Sequence, residues 1–426
     1  MLDEDDNMVP EIRFKGFQEA WDLRKIHELL DDGTLHPPMD GNHGEIHPKK
    51  SDYVDRGIPF VMANNVRDGE VDLRGCSHIT KEQADTLQKG FAKSGDVLLT
   101  HKGTVGEMAI VGAIDYPFIM LTPQVTFYRI LKPAKLDTNF LATSFATSRF
   151  QNAIEEVSGG GTRAYVGITQ QQQLSVTLPP DPTEQTQIGA YFKSLDRMIG
   201  LYQRKHDKLV TLKQAMLQKM FPQDGATIPE IRFKGYSRPW EENAVRDICG
   251  DSYGGGTPAT SESSFWKGEI PWIQSSDIKE EKLYSVTPRK WINESAIRVS
   301  AASLVPAYSI AVITRVGVGK VALIEFPYAT SQDFCSLSKL SIDPEFAVVA
   351  LSLLLNRMMH QAQGTSIKGI TKEELLSFVI PIPIDAKEQR KVGSYFRSLD
   401  MLIRKQATQL EKLKNIKSAS LEKMFV

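Results

Sequence analysis

The chain has 426 residues, 41% of them hydrophobic and 24% charged, which is too long for one ordinary core and predicts two or three globular domains. The 51 Lys/Arg nearly balance the 52 Asp/Glu, so a net charge of −1 carries no nucleic-acid signal by itself. No apolar run is long enough to span a bilayer, the acidic start MLDEDDNM predicts no signal peptide, and three scattered cysteines (Cys76, Cys249, Cys335) argue against a disulfide framework or a cysteine zinc site and fit a reducing cytoplasm.

Residues 1–8 read as an acidic tail. The segment VPEIRFKGFQEAW at Val9–Trp21 follows and returns as IPEIRFKGYSRPW at Ile228–Trp240, with PEIRFKG identical. Its Ile, Phe and Trp predict anchors for a globule. Ile58–Val66 (IPFVMANNV) matches Ile270–Ile278 (IPWIQSSDI), in each case a short buried strand running into polar loop residues. Gly95–Ile110 resembles Tyr308–Ile324, and both predict a hairpin around a basic glycine loop. Amphipathic helices are expected over Phe140–Glu156 and Phe346–Gln361. A glycine loop follows each, at Ser158–Thr169 and Gln363–Thr371. A strand ending in prolines comes next, at Leu174–Pro182 and Phe378–Pro383.

Glu184–Phe221 is the longest periodic run, and it recurs as Glu388–Phe425 at an offset of 204 residues without a gap. Ile188, Phe192, Leu195, Ile199, Tyr202, Leu209, Met216 and Met220 step by threes and fours apart from gaps at His206 and Lys213. The second copy repeats the stripe as Val392, Phe396, Leu399, Ile403, Leu410, Leu413 and Met424. Two such helices, each about 57 Å long, are expected to pack on each other. The seam, or a surface for a partner, is assigned to Phe192, Leu195, Ile199, Leu209, Met220 and Phe221, with Phe396, Leu399, Ile403, Leu413, Met424 and Phe425 in the second copy. The expected domains are 1–180, a helix at 181–222, 223–383 and a helix at 384–426. The helical segments hold seven Lys/Arg against four Asp/Glu and ten against five, leaving −9 for the rest. Basic helices can track phosphates, although a solvated helix face is the commoner meaning of such a run.

A search for catalytic chemistry fails. RVGVGKV at Arg315–Val321 lacks the Ser/Thr and the spacing of a nucleotide P-loop. Ser158–Thr162 has no GxGxxG pattern opening a helix. The Asp/Asn-Pro-Pro-aromatic grip of an adenine methyltransferase is missing, since His36-Pro37-Pro38-Met39 and Leu178-Pro179-Pro180-Asp181 have the wrong ends. His43 and His47 in HGEIH are spaced as a metal pair, but the surrounding Gly and Pro predict a loop, and no metal site is assigned. The chain reads as a non-catalytic binder. Basic or aromatic residues beside glycines recur at matching places in both globules: His101, Lys102, Arg163, Tyr165, Arg315, Lys320 and Lys368. They are expected in polar loops able to approach a phosphate or a base edge.

The whole chain resembles the specificity subunit of type I restriction–modification enzymes. The carriers are EQ-x4-YF-x-SLD opening both helices, KMF closing them, the two PEIRFKG segments, GGGTP at Gly254–Pro258, the polar stretch at Ile270–Asp277, and the GIT loops at Gly167–Thr169 and Gly369–Thr371. The resemblance implies a mixed α/β fold with two target-recognition domains, separated by two long helices in an antiparallel coiled coil, as a pseudo-twofold tandem repeat. Each domain would read one half of a split sequence in double-stranded DNA, with Thr257 and Ser275 joining the candidate contacts. The helix pair would set the spacer and dock two methyltransferase subunits. It further implies S-adenosylmethionine in the methyltransferase, ATP and Mg in a motor–nuclease subunit, and no cofactor in this chain. One departure stands out, GTLHPP at Gly33–Pro38 where the second globule has GGGTP. Two rival readings are a stand-alone DNA methyltransferase, which needs the missing motifs, and a coiled-coil scaffold whose globules bind protein or ligand.

Overall fold

The computed structural model describes residues 8–67, 69–159, 164–223, 225–280, 282–361 and 369–426. The chain forms two compact units, Met1–Gln203 with Gln409–Val426, and Arg204–Thr408. Two unbroken helices of 38 residues, the central helix Pro182–Lys219 and the C-terminal helix Ala386–Lys423, contribute a part to each unit. Pro182 starts the central helix where its missing N–H is no loss. In the first unit Tyr191 meets Ser420 (3.0 Å) and Asp196 meets Lys417 (2.5 Å), so the two helical segments run antiparallel there. Lys213 and Asp400 (2.6 Å) make the matching pair in the second unit, shifted by the same 204 residues. The gap in the stripe at Lys213 is therefore a buried ion pair.

The first unit is mixed α/β. Asp22–Lys25 pairs antiparallel with Ser175–Leu178. A three-stranded sheet places Val97–Lys102 between Val125–Tyr128 and Thr104–Ile110. In a four-stranded sheet Ile58–Val61 runs parallel to Ile119–Leu121. The second unit repeats the plan. Glu241–Ala244 pairs with Val379–Ile382, and Ser309–Ile313 lies between Val321–Ile324 and Phe334–Leu340. Ile270–Ile273 runs parallel to Ala329–Thr330. Both interiors are apolar strands covered by a helix, Thr138–Phe145 or Pro344–Gln361.

The repeated sequence segments build the same socket twice. In the first unit Arg13 donates two hydrogen bonds to Glu184 (2.6 and 2.8 Å), whose carboxylate is fully buried. Arg232 does the same to Glu388 (2.7 and 2.8 Å) in the second. Ile12 N–H caps Lys423 O as Ile231 N–H caps Lys219 O. Phe425 enters a cluster of Trp21, Phe140 and Phe192, while Phe221 enters one of Trp240, Phe346 and Phe396. Gly189 and Gly393 let their helices close on the next cap, because a Cβ at either would lie under 3 Å from the Asp137 or Asp343 carboxylate. PEIRFKG and KMF are thus two halves of one lock around a helix end.

Three expectations change. Phe140–Glu156 is two helices, Thr138–Phe145 and Ser148–Ser158, because Thr147 caps the second through its hydroxyl. Met220, Phe221, Met424 and Phe425 lie beyond the helix ends and fill globule cores, so they are not seam residues. The two GIT triplets are not equivalent. Val166 and Ile370 make the same bond, to His101 O and Thr314 O, and Gly167 and Thr371 each cap a one-turn helix. That pairing keeps the offset of 204, whereas the triplets break it by two. Elsewhere in the stripe, Phe192, Leu195, Phe396 and Leu399 are buried and Ile199, Leu209, Ile403 and Leu413 are half-buried.

Removing one partner of a buried ion pair typically costs about 3–5 kcal/mol, so Glu184→Ala and Glu388→Ala should each lower stability by that amount in urea denaturation. Burial raises the Asp400 pKa, with Lys213 and Arg404 opposing it. A carboxyl whose folded pKa is raised adds most stability below its unfolded pKa and loses it as pH rises through the folded value. Asp400→Asn should therefore flatten the fall in stability above about pH 4, as followed by denaturation midpoints across that range.

Candidate nucleic-acid interface

The hairpin predicted in the first unit is present, Val97–Lys102 turning through Gly103 into Thr104–Ile110. Gly103 takes a φ of +84°, which a side chain disfavours. His101 departs from the expected loop position: it is the penultimate strand residue and wholly buried. Its Nδ1 bonds Val166 O (3.0 Å), so that nitrogen carries the proton, and its Nε2 is buried without a partner. Burial lowers its pKa, against the Val166 bond and the nearby Asp40. Lys102, at the strand end, is exposed and bridged to Tyr165. Tyr165 is 46% exposed, with its ring 5.7 Å from that of His101. The structure thus gathers His101, Lys102 and Tyr165, one as support and two at the surface.

In the second unit Thr314 replaces His101, as both accept the following loop's N–H and both donate to the neighbouring strand turn (Gln124 O or Asp333 O). Arg315, the counterpart of Lys102, is exposed and lies against Gly369. Thr257 donates to Gln332 (2.7 Å), one residue from Asp333, so Thr257 and Arg315 share an edge. Lys320 is half-buried on the far side of the turn, its carbonyl bonded by Ile313 N–H. Ser275 opens a 3-10 turn, Ser275–Asp277, after the strand Ile270–Ile273. Arg163 and Lys368 lie outside the described residues.

The departure at Gly33–Pro38 has a structural answer. Leu35 bridges Ile130 and Met39 bridges Phe127, so this stretch corresponds to the strand Cys249–Gly254 rather than to the GGGTP turn. Strand register then aligns Gly41 with Gly255 and His43 with Thr257. A Cβ on Gly41 would stand 1.9 Å from Leu121 O, and one on Gly255 would stand 1.9 Å from Ser331 O. Sequence reasoning missed this match because the two turns share one glycine and little else.

It also missed the charged groups around that turn. Asp40, 5% exposed in its side chain, holds His43 Nε2 (2.6 Å) and Lys89 Nζ. His47 bonds Asn42 O instead (3.1 Å), so the HGEIH histidines have separate partners. In the second unit Arg289 pairs with Asp277 (2.5 Å), and Lys290 lies over the rings of Trp266 and Trp272. No group of three or more His, Cys, Asp or Glu able to hold a metal occurs among the described residues. No described helix is long and apolar enough to cross a membrane. These surfaces offer cations, hydroxyls and aromatic edges, the chemistry of a polyanion interface.

Two similarly built units with divergent polar loops and a shared pair of helices define a tandem recognition protein. The family profile for type I restriction modification DNA specificity domains matches residues 20–211 and 237–415. The chain belongs to that family. Across 415 residues it is 21% identical to a Methanocaldococcus jannaschii protein provisionally named the type I restriction enzyme MjaX specificity subunit, covering 93% of this chain and 91% of the relative. It is 26% identical over 257 residues to the Escherichia coli type I restriction enzyme EcoR124I/EcoR124II specificity subunit, covering 58% and 60%. The crystal structure of the type I restriction–modification S subunit from M. genitalium shares its fold, with a TM-score of 0.68 at 15% identity over 98% of this chain and 99% of that one.

Overpacking a tight backbone contact typically costs about 1–3 kcal/mol. Gly41→Ala and Gly255→Ala should each destabilise their unit by that amount in urea denaturation, and Gly112→Ala, which meets nothing within 4 Å, should not.

Proposed function

We propose that this chain serves as the non-catalytic DNA-reading subunit of a type I restriction–modification complex, each unit recognising one half of a bipartite target. The observation that carries the reading is one socket repeated beneath unlike loops. Matching backbone hydrogen bonds hold the corresponding edge in each unit, while His101 is replaced by Thr314 and His43 by Thr257 in the repeat. Equal framing with different side chains suits two different half-sites.

Lys102 and Arg315 are proposed as cationic DNA contacts, with Tyr165, Thr257 and Ser275 beside them, Lys320, Arg163 and Lys368 as further contacts, and His101 as a buried support. The helix surfaces favour two copies of one partner. Exposed Met198 and Leu402 recur at the offset of 204, as do Leu212 and Ile416, so each unit presents an apolar set on its helical segments. Two methyltransferase subunits are the proposed occupants, bringing S-adenosylmethionine, with a motor–nuclease subunit supplying ATP and Mg chemistry. The continuous helices are proposed to set the spacer between half-sites.

The test is co-expression with a cognate methyltransferase, followed by mapping of methylated adenines. A split motif with unlike halves is expected, and exchanging the globular part of one unit should change one half alone. Removing seven residues in register from each helix takes out about 10 Å of rise, or about three base-pair steps, and should shorten the spacer while preserving both halves. A formed complex that methylates no motif would point to the scaffold reading.

A further inference from the structure

The turn at residues 39–43 carries ionisable chemistry that its counterpart lacks. Gly41 presses on Leu121 O, and the Asn42 side chain ties the turn to the next segment. Asn42 Nδ2 donates to Lys89 O (2.6 Å), and its Oδ1 accepts from Gln88 N–H (3.0 Å). His43 and Lys89 are thereby held side by side on one buried carboxylate, Asp40, which gives Oδ2 to the first and Oδ1 to the second. Burial works to raise the Asp40 pKa, yet the bonds from Lys89 and His43 bring it below the usual carboxylate range. Asp40 is therefore an anion and can only accept. The His43 Nε2 must carry its proton, which leaves Nδ1 as the free edge of a ring whose side chain is 51% exposed. Nδ1 makes no hydrogen bond among the described residues.

We infer that Asp40, His43 and Lys89 form a backbone-phosphate contact for duplex DNA in the first unit, whose charge is set by protonation of His43. The inference rests on the DNA-reading function proposed above. With His43 neutral, Asp40 and Lys89 cancel and only the Lys89 ammonium faces a phosphate. Protonating Nδ1 adds a second N–H donor and makes the cluster net cationic, which strengthens the contact.

Asp40 binds His43 directly and Lys89 shares that carboxylate, Glu45 and His47 follow His43 in its own loop, and His101 of the hairpin, next to Lys102, is close enough to interact with it. His101 is pushed towards neutrality by burial, with His43 and Lys102 adding to the effect. In the second unit the aligned positions are Gly254, Gly255, Gly256 and Thr257, and the segment against Gly256 is Ala301–Ala302. That turn has no charge to gain, so the pH dependence belongs to the first unit.

The experiment measures binding of the full chain, co-purified with its methyltransferase, to a duplex bearing the methylated motif, across salt concentrations at about pH 6 and about pH 8. Each phosphate neutralised steepens the log–log salt dependence by about 0.9. Wild type should gain one such increment at the lower pH. His43→Gln should lose the increment, so that its salt slope is the same at both pH values, and Lys89→Arg, which keeps the ion pair, should retain it. An increment that survives His43→Gln would overturn the inference, as would a variant that alters base preference in one half-site without changing the slope. A wild-type complex that binds no duplex would overturn this inference and the DNA-reading function together.

Discussion

The fully buried carboxylate of Glu184, with its twin Glu388, is the constraint on which the architecture turns. An ionised group in an apolar interior is tolerable only when its charge and its lone pairs are matched. Arg13 and Arg232 supply that match from the segment that opens each globule, and each guanidinium reaches its carboxylate with two donors. The ion pair fixes where a long helix begins relative to the globule. The aromatic residue closing the other helix, Phe425 or Phe221, then fills the remaining space. Geometry comes from the ion pair, and most of the burial comes from the rings.

Such a frame frees the loops. The hairpin after His101 and the turn after Thr314 hang from the same hydrogen bonds, so their side chains can change without moving the strands that carry them. Both units keep a glycine where the backbone presses on a neighbouring carbonyl, at Gly41 and Gly255. Around those fixed points one unit uses an aspartate, a histidine and a lysine, and the other uses glycines, alanines and a threonine hydroxyl. This separation of rigid support from variable surface suits a family of proteins that differ in the DNA they read.

Much of the frame was legible in the sequence. A helix seam and a seven-residue identity survive in the letters because close packing tolerates few substitutes. The helix starts, the strand-to-proline junctions and the tandem plan were all visible this way. Pairing in three dimensions was less so. Nothing in KMF says that Met424 and Phe425 leave the helix for a globule core, or that His101 faces inward from a strand end. The GIT triplets misled because short polar strings recur by chance, whereas hydrogen-bond partners identify Val166 with Ile370. The Asp40 cluster was hidden for a related reason. Its members are 49 residues apart at the extremes, and the Asn42 side chain helps to hold the two segments together.

The place of Phe425 has a consequence for how the protein is made. The second unit needs nothing beyond Thr408, but the first unit lacks a core aromatic ring and a helical strut until Gln409–Val426 emerge. Synthesis usually lets the N-terminal domain fold first. Here the ribosome delivers every part of the second unit before it finishes the first. Until then the first globule exposes the hollow lined by Trp21, Phe140 and Phe192, which makes the nascent chain's early half a natural client for chaperones.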